Sequence, residues 1–322
     1  MVLEVGPRKV VAMLQSGDTI TVIGEGLKPV TSGLSDKAGP KIQIRRGAVV
    51  RAYRHPTNPK IDWMLTQLPD VQGAMVAMDP RSGAVRALVG GFDFAKNKFN
   101  RVTQAWRQPG SSFKPFIYSA ALEKGFTPAT IVNDAPLFFD AGATGSQPWE
   151  PKNYDGKFEG PMPLQTALAK SKNMVSIRIL RSIGPGYAQD YISKFGFDPK
   201  QHPAYLTLAL GAGQTNPMQM AGAYSVFANG GFRIKPHFIK KIVDARGQTI
   251  FEETPVVAGK DAEQAIDPRN AFIMSTLLRD VVRAGTATKA MALGRSDLAG
   301  KTGTTNDSID TWFVGFQPTL TA

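Results

Sequence analysis

The sequence predicts an α+β fold: a sheet drawn from both ends of the chain, helices between them, and a small all-β module in front. Three observations predict it. β-Rich runs crowd residues 8–54 and recur at 71–89 and beyond 298, while the middle of the chain carries apolar residues at i, i+3, i+4 spacing. The 32 glycines and 23 prolines cut the chain into many short elements, unlike a helical bundle. With 322 residues, 42% of them hydrophobic, there is material for one large domain and one smaller one. The expected division is 1–58 and 59–322.

Residues 10–14, 19–23, 41–44 and 49–53 read as short strands, with turn-rich text at 24–40, and together they offer little core. Residues 56–59 read as a linker. Two apolar runs, 71–78 and 84–89, flank Asp79-Pro80-Arg81-Ser82-Gly83, a hairpin signal. Helices are expected over 112–124, 164–183, 218–228 and 270–282, the third stopped by Asn229-Gly230-Gly231. Strand character returns at 233–251, with a turn at 244–247, and again at 298–304, 311–316 and from 319 onward. Early and late strands must therefore meet in space.

Composition excludes several chemistries. Cysteine is absent, so there is no disulfide, thiolate metal site or cysteine nucleophile. His55, His202 and His237 each adjoin a proline without metal spacing, and no phosphate loop or dinucleotide fingerprint occurs; no metal and no cofactor is expected. The net charge of +12, from 38 basic and 26 acidic residues, suits an anionic partner or simply a solvated basic surface. The short basic clusters at 41–46 and 235–241 come without any DNA- or RNA-binding motif, so nucleic acid is not expected as a partner. No apolar run approaches the ~18 residues of a membrane span, and the N-terminus lacks a signal-peptide pattern. The chain is then either cytosolic or a piece whose targeting segment lies elsewhere.

Three segments carry chemistry. In Ser111-Ser112-Phe113-Lys114, Gly110 permits a tight entry and Pro115 fits a first helical turn, which places Ser111 at a helix start that favours developing negative charge. Lys114, at i+3, shares its face, and a desolvated lysine can lose its charge and accept a hydroxyl proton. On spacing alone, a surface serine and lysine is the commoner explanation. In Ser171-Lys172-Asn173, a hydroxyl could relay a proton and Asn173 could donate to a substrate carbonyl; a polar kink bonding its own backbone explains the segment equally well in isolation. Lys301-Thr302-Gly303-Thr304 follows an apolar run, and its glycine admits close approach of another backbone. A peptide could pair along this strand, with Lys301 and the threonine hydroxyls on its carboxylate. The N–H groups of Ser111 and Thr304 could then form an oxyanion hole. A mobile glycine turn is the bland alternative.

Taken in order, Ser-x-x-Lys, Ser-x-Asn and Lys-Thr-Gly form the set found in penicillin-recognising enzymes. The likeness extends to Arg107-Gln108-Pro109-Gly110-Ser111-Ser112-Phe113-Lys114-Pro115, to Trp149-Glu150-Pro151-Lys152-Asn153-Tyr154-Asp155-Gly156, and to the text from Leu208-Ala209-Leu210-Gly211 through Ala228-Asn229-Gly230-Gly231. From about residue 67 onward the chain resembles the transpeptidase domain of bifunctional class A penicillin-binding proteins. The β module resembles the OB-like insert of the 1a type from Gram-negative bacteria. The resemblance implies the serine transpeptidase / β-lactamase-like fold, an antiparallel sheet flanked by helices. It implies Ser111 as nucleophile, Lys114 as base, Ser171 as proton relay and Asn173 as an amide contact. Lys301, Thr302, Gly303 and Thr304 would form the carboxylate-binding strand, with the Thr304 N–H in the oxyanion hole. The implied reaction is D,D-transpeptidation of peptidoglycan stem peptides, with possible D,D-carboxypeptidase side activity and β-lactams as covalent inhibitors. It also implies a parent with a glycosyltransferase domain and membrane anchor at the periplasmic face of the inner membrane, aided by envelope activator proteins.

Two expectations set limits. The family's next sheet strand starts near Thr319, between the late and early hairpins, and loss of most of it would leave a poorly folded or weakly active chain. A class A β-lactamase would need a glutamate downstream of Asn173, and none occurs before Glu252. The remaining alternative is a β-lactam-binding sensor or inactive scaffold of the same fold, which the complete motif set disfavours.

Overall fold

The computed structural model describes the chain apart from residues 56–57, 59–60, 68, 70, 145–146 and 306–308 and the side chains of 143–144. Two compact units result, Met1–Gln72 and Gly73–Ala322. The expected linker at 56–59 lies outside the described residues apart from Asn58.

In the first unit, β1 (Val2–Gly6), β2 (Lys9–Met13) and β3 (Thr19–Ile23) form an antiparallel meander. Residues Val10, Ala12, Ile20 and Val22 alternate inward with exposed neighbours, as a half-buried sheet requires. A 3-10 helix, Gly24–Leu34, adds Leu27 and Val30 to this core. β4 (Arg51–Arg54) and β5 (Trp63–Thr66) pair from Arg51↔Thr66 to Arg54↔Trp63, and Leu65 joins the same core. The boundary expected after residue 58 is therefore corrected to 72/73: the text that suggested a linker connects two paired strands. Residues 41–44 are turns rather than a strand, tied down by the Ile44 N–H donating to the Gly33 carbonyl.

The second unit opens with the expected hairpin, β6 (Met75–Met78) and β7 (Val85–Val89), then α1 (Arg101–Gln104) and α2 (Lys114–Glu123). β8 (Ile131–Asp134), α3 (Ala141–Thr144) and β9 (Gly160–Pro163) follow, with β8 and β9 paired. Next come α4 (Leu164–Ala169), α5 (Asn173–Ile183), α6 (Pro185–Ile192) and α7 (Pro217–Ala228). Short strands β10 (Phe232–Arg233), β11 (Lys241–Val243), β12 (Thr249–Glu252) and β13 (Glu263–Gln264) lead to α8 (Pro268–Ala284). The chain closes with β14 (Ala299–Thr304), β15 (Thr311–Gln317) and β16 (Leu320–Thr321). Early and late strands meet in one antiparallel sheet of order β14-β15-β16-β6-β7. In it β16 pairs Phe316↔Thr321 on one side and Thr321↔Met78 on the other, the position expected for the strand beginning near Thr319.

The core is helical at its centre. Every residue of α2 from Lys114 to Ala121 is buried, as befits a helix that is apolar all round and packed on all sides. The expected helix 164–183 is two helices, α4 and α5, broken at Ser171. No helix among the described residues is long and apolar enough to cross a membrane.

His202 is fully buried, stacked on Phe113 at 5.0 Å and edge-on to Phe197, and neither ring nitrogen has a partner among the described residues. Burial pulls its pKa down to about 4, against the opposing pull of Asp198. The folded state thus favours neutral imidazole, and the unfolded chain binds the extra proton between about pH 6.5 and 4. Stability should fall through that window on acidification, by at most about 2–3 kcal/mol. Denaturant melts from pH 7 to 4 should show this slope flattened in His202→Leu; an unchanged slope contradicts the assignment.

Candidate active site

The site begins with local backbone necessity. Gly110 holds φ +55°, and a Cβ there would lie 2.6 Å from the Thr304 carbonyl oxygen. A Cβ on Gly303 would lie 2.4 Å from the Pro109 carbonyl oxygen. Two glycines thus let the turn before α2 and the end of β14 touch backbone to backbone. The turn is a 3-10 stretch, Gly110–Phe113, leading directly into α2. Ser111 on it is half-buried, and its hydroxyl has no hydrogen-bond partner among the described residues. The adjacent Ser112 is fully buried, its hydroxyl donating to Pro109 O at 2.7 Å and its carbonyl accepting from the Tyr224 hydroxyl.

Ser171 explains the broken helix. At φ +58° it is the only non-glycine residue among those described with positive φ. Ser171 N–H donates to Leu168 O and Lys172 N–H to Ala167 O, the paired bonds of a Schellman helix end. Ser171 occupies the left-handed position where glycine is usual, at a steric cost of roughly 1–2 kcal/mol. That conformation brings its hydroxyl between two amines.

Lys114 Nζ donates to Ser171 O at 2.7 Å, to Ser171 Oγ at 3.3 Å and to Asn173 Oδ1 at 2.7 Å. Lys301 Nζ donates to Ser171 Oγ at 2.8 Å and to Thr302 O at 3.1 Å. Both lysines are fully buried. Burial, with the positive Lys301 beside it, holds Lys114 well below the usual lysine range despite the opposing pull of Asp134. Burial lowers Lys301 to about 7. Two amines in one dry space cannot both stay charged cheaply, which favours a neutral lysine beside the Ser171 hydroxyl.

Of the residues singled out in the sequence, Lys114, Ser171, Asn173 and Lys301 meet through hydrogen bonds, and the turn carrying Ser111 adjoins Thr304. Lys301 points at Ser171 rather than outward to solvent. One Asn173 amide hydrogen is already given to Lys152 O at 2.7 Å, leaving the other for a ligand. Thr302 Oγ1 shares a 2.6 Å hydrogen bond with Thr286 Oγ1. β14 lies at the sheet edge, so its outer side can receive an extended peptide. Thr304 lies at the strand's end beside the Ser111 turn.

Sequence reasoning gave no role to the groups behind the Ser171–Asn173 turn. Buried Asn153 accepts the Asn173 N–H at 2.8 Å, capping α5 from a distant residue, since its own N-cap Lys172 supplies no side-chain bond. Lys172 is itself buried among acids. The only signal was the position of Asn153 inside the 149–156 text, without any spacing rule to connect it to residue 173.

Ser171→Gly and Ser171→Ala both delete the hydroxyl, yet only glycine relieves the left-handed strain. The glycine variant should be the more stable of the two by about 1 kcal/mol in urea melts. Equal midpoints would show that the turn relaxes.

Comparisons with known proteins give the family and the fold. A family model for the penicillin binding protein transpeptidase domain matches residues 73–322, and one for the penicillin-binding protein OB-like domain matches 1–71. Penicillin-binding protein 1A of Neisseria cinerea is 52% identical over 319 residues, covering 99% of this chain and 40% of that protein. The Pseudomonas aeruginosa protein of the same name is 45% identical over 295 residues, covering 78% of this chain and 36% of its own. The crystal structure of Penicillin-Binding Protein 1A from Haemophilus influenzae matches with TM-score 0.87 at 33% identity, over 99% of this chain and 51% of that one. PonA1 from Mycobacterium tuberculosis, solved in complex with penicillin V, matches with TM-score 0.65 at 30% identity, over 78% of this chain and 69% of that one. The chain thus spans about 40% of the length of such curated relatives as the Neisseria protein. On this geometry and these matches, the chain belongs to the penicillin-binding protein transpeptidase family, with an OB-like domain preceding the transpeptidase unit.

Proposed function

We propose that this chain is the cross-linking part of a peptidoglycan synthase and works through a Ser111 acyl-enzyme. One observation carries the reading: Ser171 Oγ sits 2.8 Å from Lys301 Nζ and 3.3 Å from Lys114 Nζ, which joins all three motifs through two buried amines.

In the proposed reaction, neutral Lys114 takes the Ser111 proton as Oγ attacks the carbonyl of the penultimate D-Ala of a stem peptide. The tetrahedral oxyanion is held by the N–H groups of Ser111 and Thr304. Ser171 passes the proton to the leaving nitrogen, the C–N bond breaks, and terminal D-Ala departs as the amine. The amine of a neighbouring stem then attacks the ester carbonyl; the proton it loses passes through the same lysine–serine relay to Ser111 Oγ as the ester C–O bond breaks, leaving the cross-link and free Ser111. Water in place of that amine gives the D,D-carboxypeptidase side reaction. Asn173 and β14 position the donor peptide, with Lys301, Thr302 and Thr304 on its carboxylate. β-Lactams acylate the same serine. The parent protein carries a glycosyltransferase domain and a membrane anchor, works at the periplasmic face of the bacterial inner membrane and answers to envelope activators. The likeness to Penicillin-binding protein 1A of Neisseria cinerea and Pseudomonas aeruginosa supports that reading.

Fluorescent penicillin should label the chain covalently and slowly deacylate, and Ser111→Ala should lose the label entirely; equal labelling of the variant excludes Ser111 as nucleophile. Lys301 is cationic below its pKa of about 7 and neutral above it. The apparent affinity for carboxylate-bearing ligands should therefore weaken as pH rises through about 7. A penicillin ester, which lacks that charge, should show no such fall; parallel profiles for acid and ester would remove Lys301 from carboxylate binding.

A further inference from the structure

The central residue of the Ser171-Lys172-Asn173 segment has no part in the reaction above, yet it is among the most completely enclosed charges in the molecule. Lys172 is 3% exposed, and its Nζ lies 2.9 Å from Glu159 Oε1, 3.2 Å from Asp155 Oδ2 and 3.4 Å from Asp134 Oδ2. Burial alone would lower its pKa; bonds to Glu159 and Asp155 and the charge of Asp134 raise it above the ordinary value. Lys172 therefore stays charged.

Asp134 is the unusual partner. Glu159 and Asp155 are partly open to solvent, whereas Asp134, at the end of β8, is fully buried. Its Oδ1 accepts from Asn153 Nδ2 at 2.7 Å and its Oδ2 from the Glu159 N–H at 3.0 Å. The second Asn153 amide hydrogen goes to Lys157 O at 2.7 Å, and Asn153 Oδ1 holds the Asn173 N–H. Asn173 Oδ1 in turn receives Lys114 Nζ. Asp134 is thus linked through the Asn153 side-chain amide to the backbone N–H of Asn173, whose side chain separately meets the lysine proposed as base, in surroundings with little water to screen the charge.

A bare carboxylate behind the turn would hold Lys114 in its ammonium form. We propose that Lys172 is a positioning residue that cancels the Asp134 charge behind the turn, and so leaves Lys114 free to act as a base. The role rests on the acyl-enzyme reading. It accounts for a buried cation within a catalytic motif that touches neither nucleophile nor peptide strand.

The other charges facing these groups are few. Lys114 faces Lys301 from β14 and Asp134 from β8, with Ser171 and Asn173 on the turn and Tyr118 one turn along its own helix. Asp134 faces Lys172 and, from α5, Arg178, whose guanidinium donates to Ala135 O. Glu159 is shared between Lys172 and Lys170. Removal of Lys172 leaves Arg178 and Lys114 itself as the cations of this set that face Asp134.

The test is the rate of Ser111 acylation by fluorescent penicillin against pH, measured on the full 322-residue chain. In Lys172→Met the acidic limb should move up by about one pH unit, a roughly tenfold loss of rate at pH values on that limb with the plateau less affected. Lys172→Met combined with Asp134→Asn should return the limb to its wild-type position, since one cation and one anion are removed together and the net charge around the turn is that of the wild type. Asp134→Asn alone leaves Lys172 on Asp155 and Glu159 and should move the limb downward; it carries the test if Lys172→Met does not fold. A limb that stays put in the single variants, or that the double variant fails to restore, overturns the role, and so does a loss of rate uniform across pH. A wild-type chain that takes no label at Ser111 overturns the acyl-enzyme reading itself, a result distinct from normal labelling with an unmoved limb.

Discussion

The site depends on one oxygen. Ser171 Oγ lies between two fully buried lysines, and each of the three motifs reaches the others through it. Amines so confined repel each other, and the relief is the loss of a proton. On the proposed mechanism, that loss is what lets an ordinarily cationic residue act as a base. Much of the surrounding architecture keeps this arrangement dry and fixed. Helix α2 is buried all round so that Lys114 enters from the core, and β14 brings Lys301 in from the sheet.

The same oxygen requires an uncomfortable backbone. A serine in a left-handed helix end is the kind of strain that persists only where neighbours over-determine it. Here they do so from behind: Asn153 caps α5 and the acids around Lys172 hold the turn from its far side. Function in this region rests on strain in front and saturated hydrogen bonding at the back.

Much of this was legible in the sequence, and the remainder was hidden for identifiable reasons. The hairpin around residues 79–83, helices α7 and α8 and the late strands follow from periodicity and turn residues. Ser111, Lys114, Ser171 and Lys301 follow from motif order. The break between α4 and α5 was not legible, because the apolar spacing runs through Ser171 and no glycine marks the left-handed position. The β8–β9 hairpin was missed because Pro161 and Pro163 argue against a strand, although two prolines are tolerated in so short a ladder. Strand β5 was separated from its partner by proline-rich text that resembled a linker. The Asn153–Asp134–Lys172 network joins residues 19 to 38 apart in sequence, and no local pattern announces such a contact.

The backbone contact between the Gly110 turn and the end of β14 also bears on how the protein can change over generations. Almost any replacement at Gly110 or Gly303 adds a carbon where a carbonyl oxygen already stands. Those positions admit no gradual change, because even the smallest side chain pushes the Ser111 turn away from β14. Variation is accommodated more readily by side chains that fill no such shared seam, such as Thr302 and its neighbour across the hydrogen bond, Thr286.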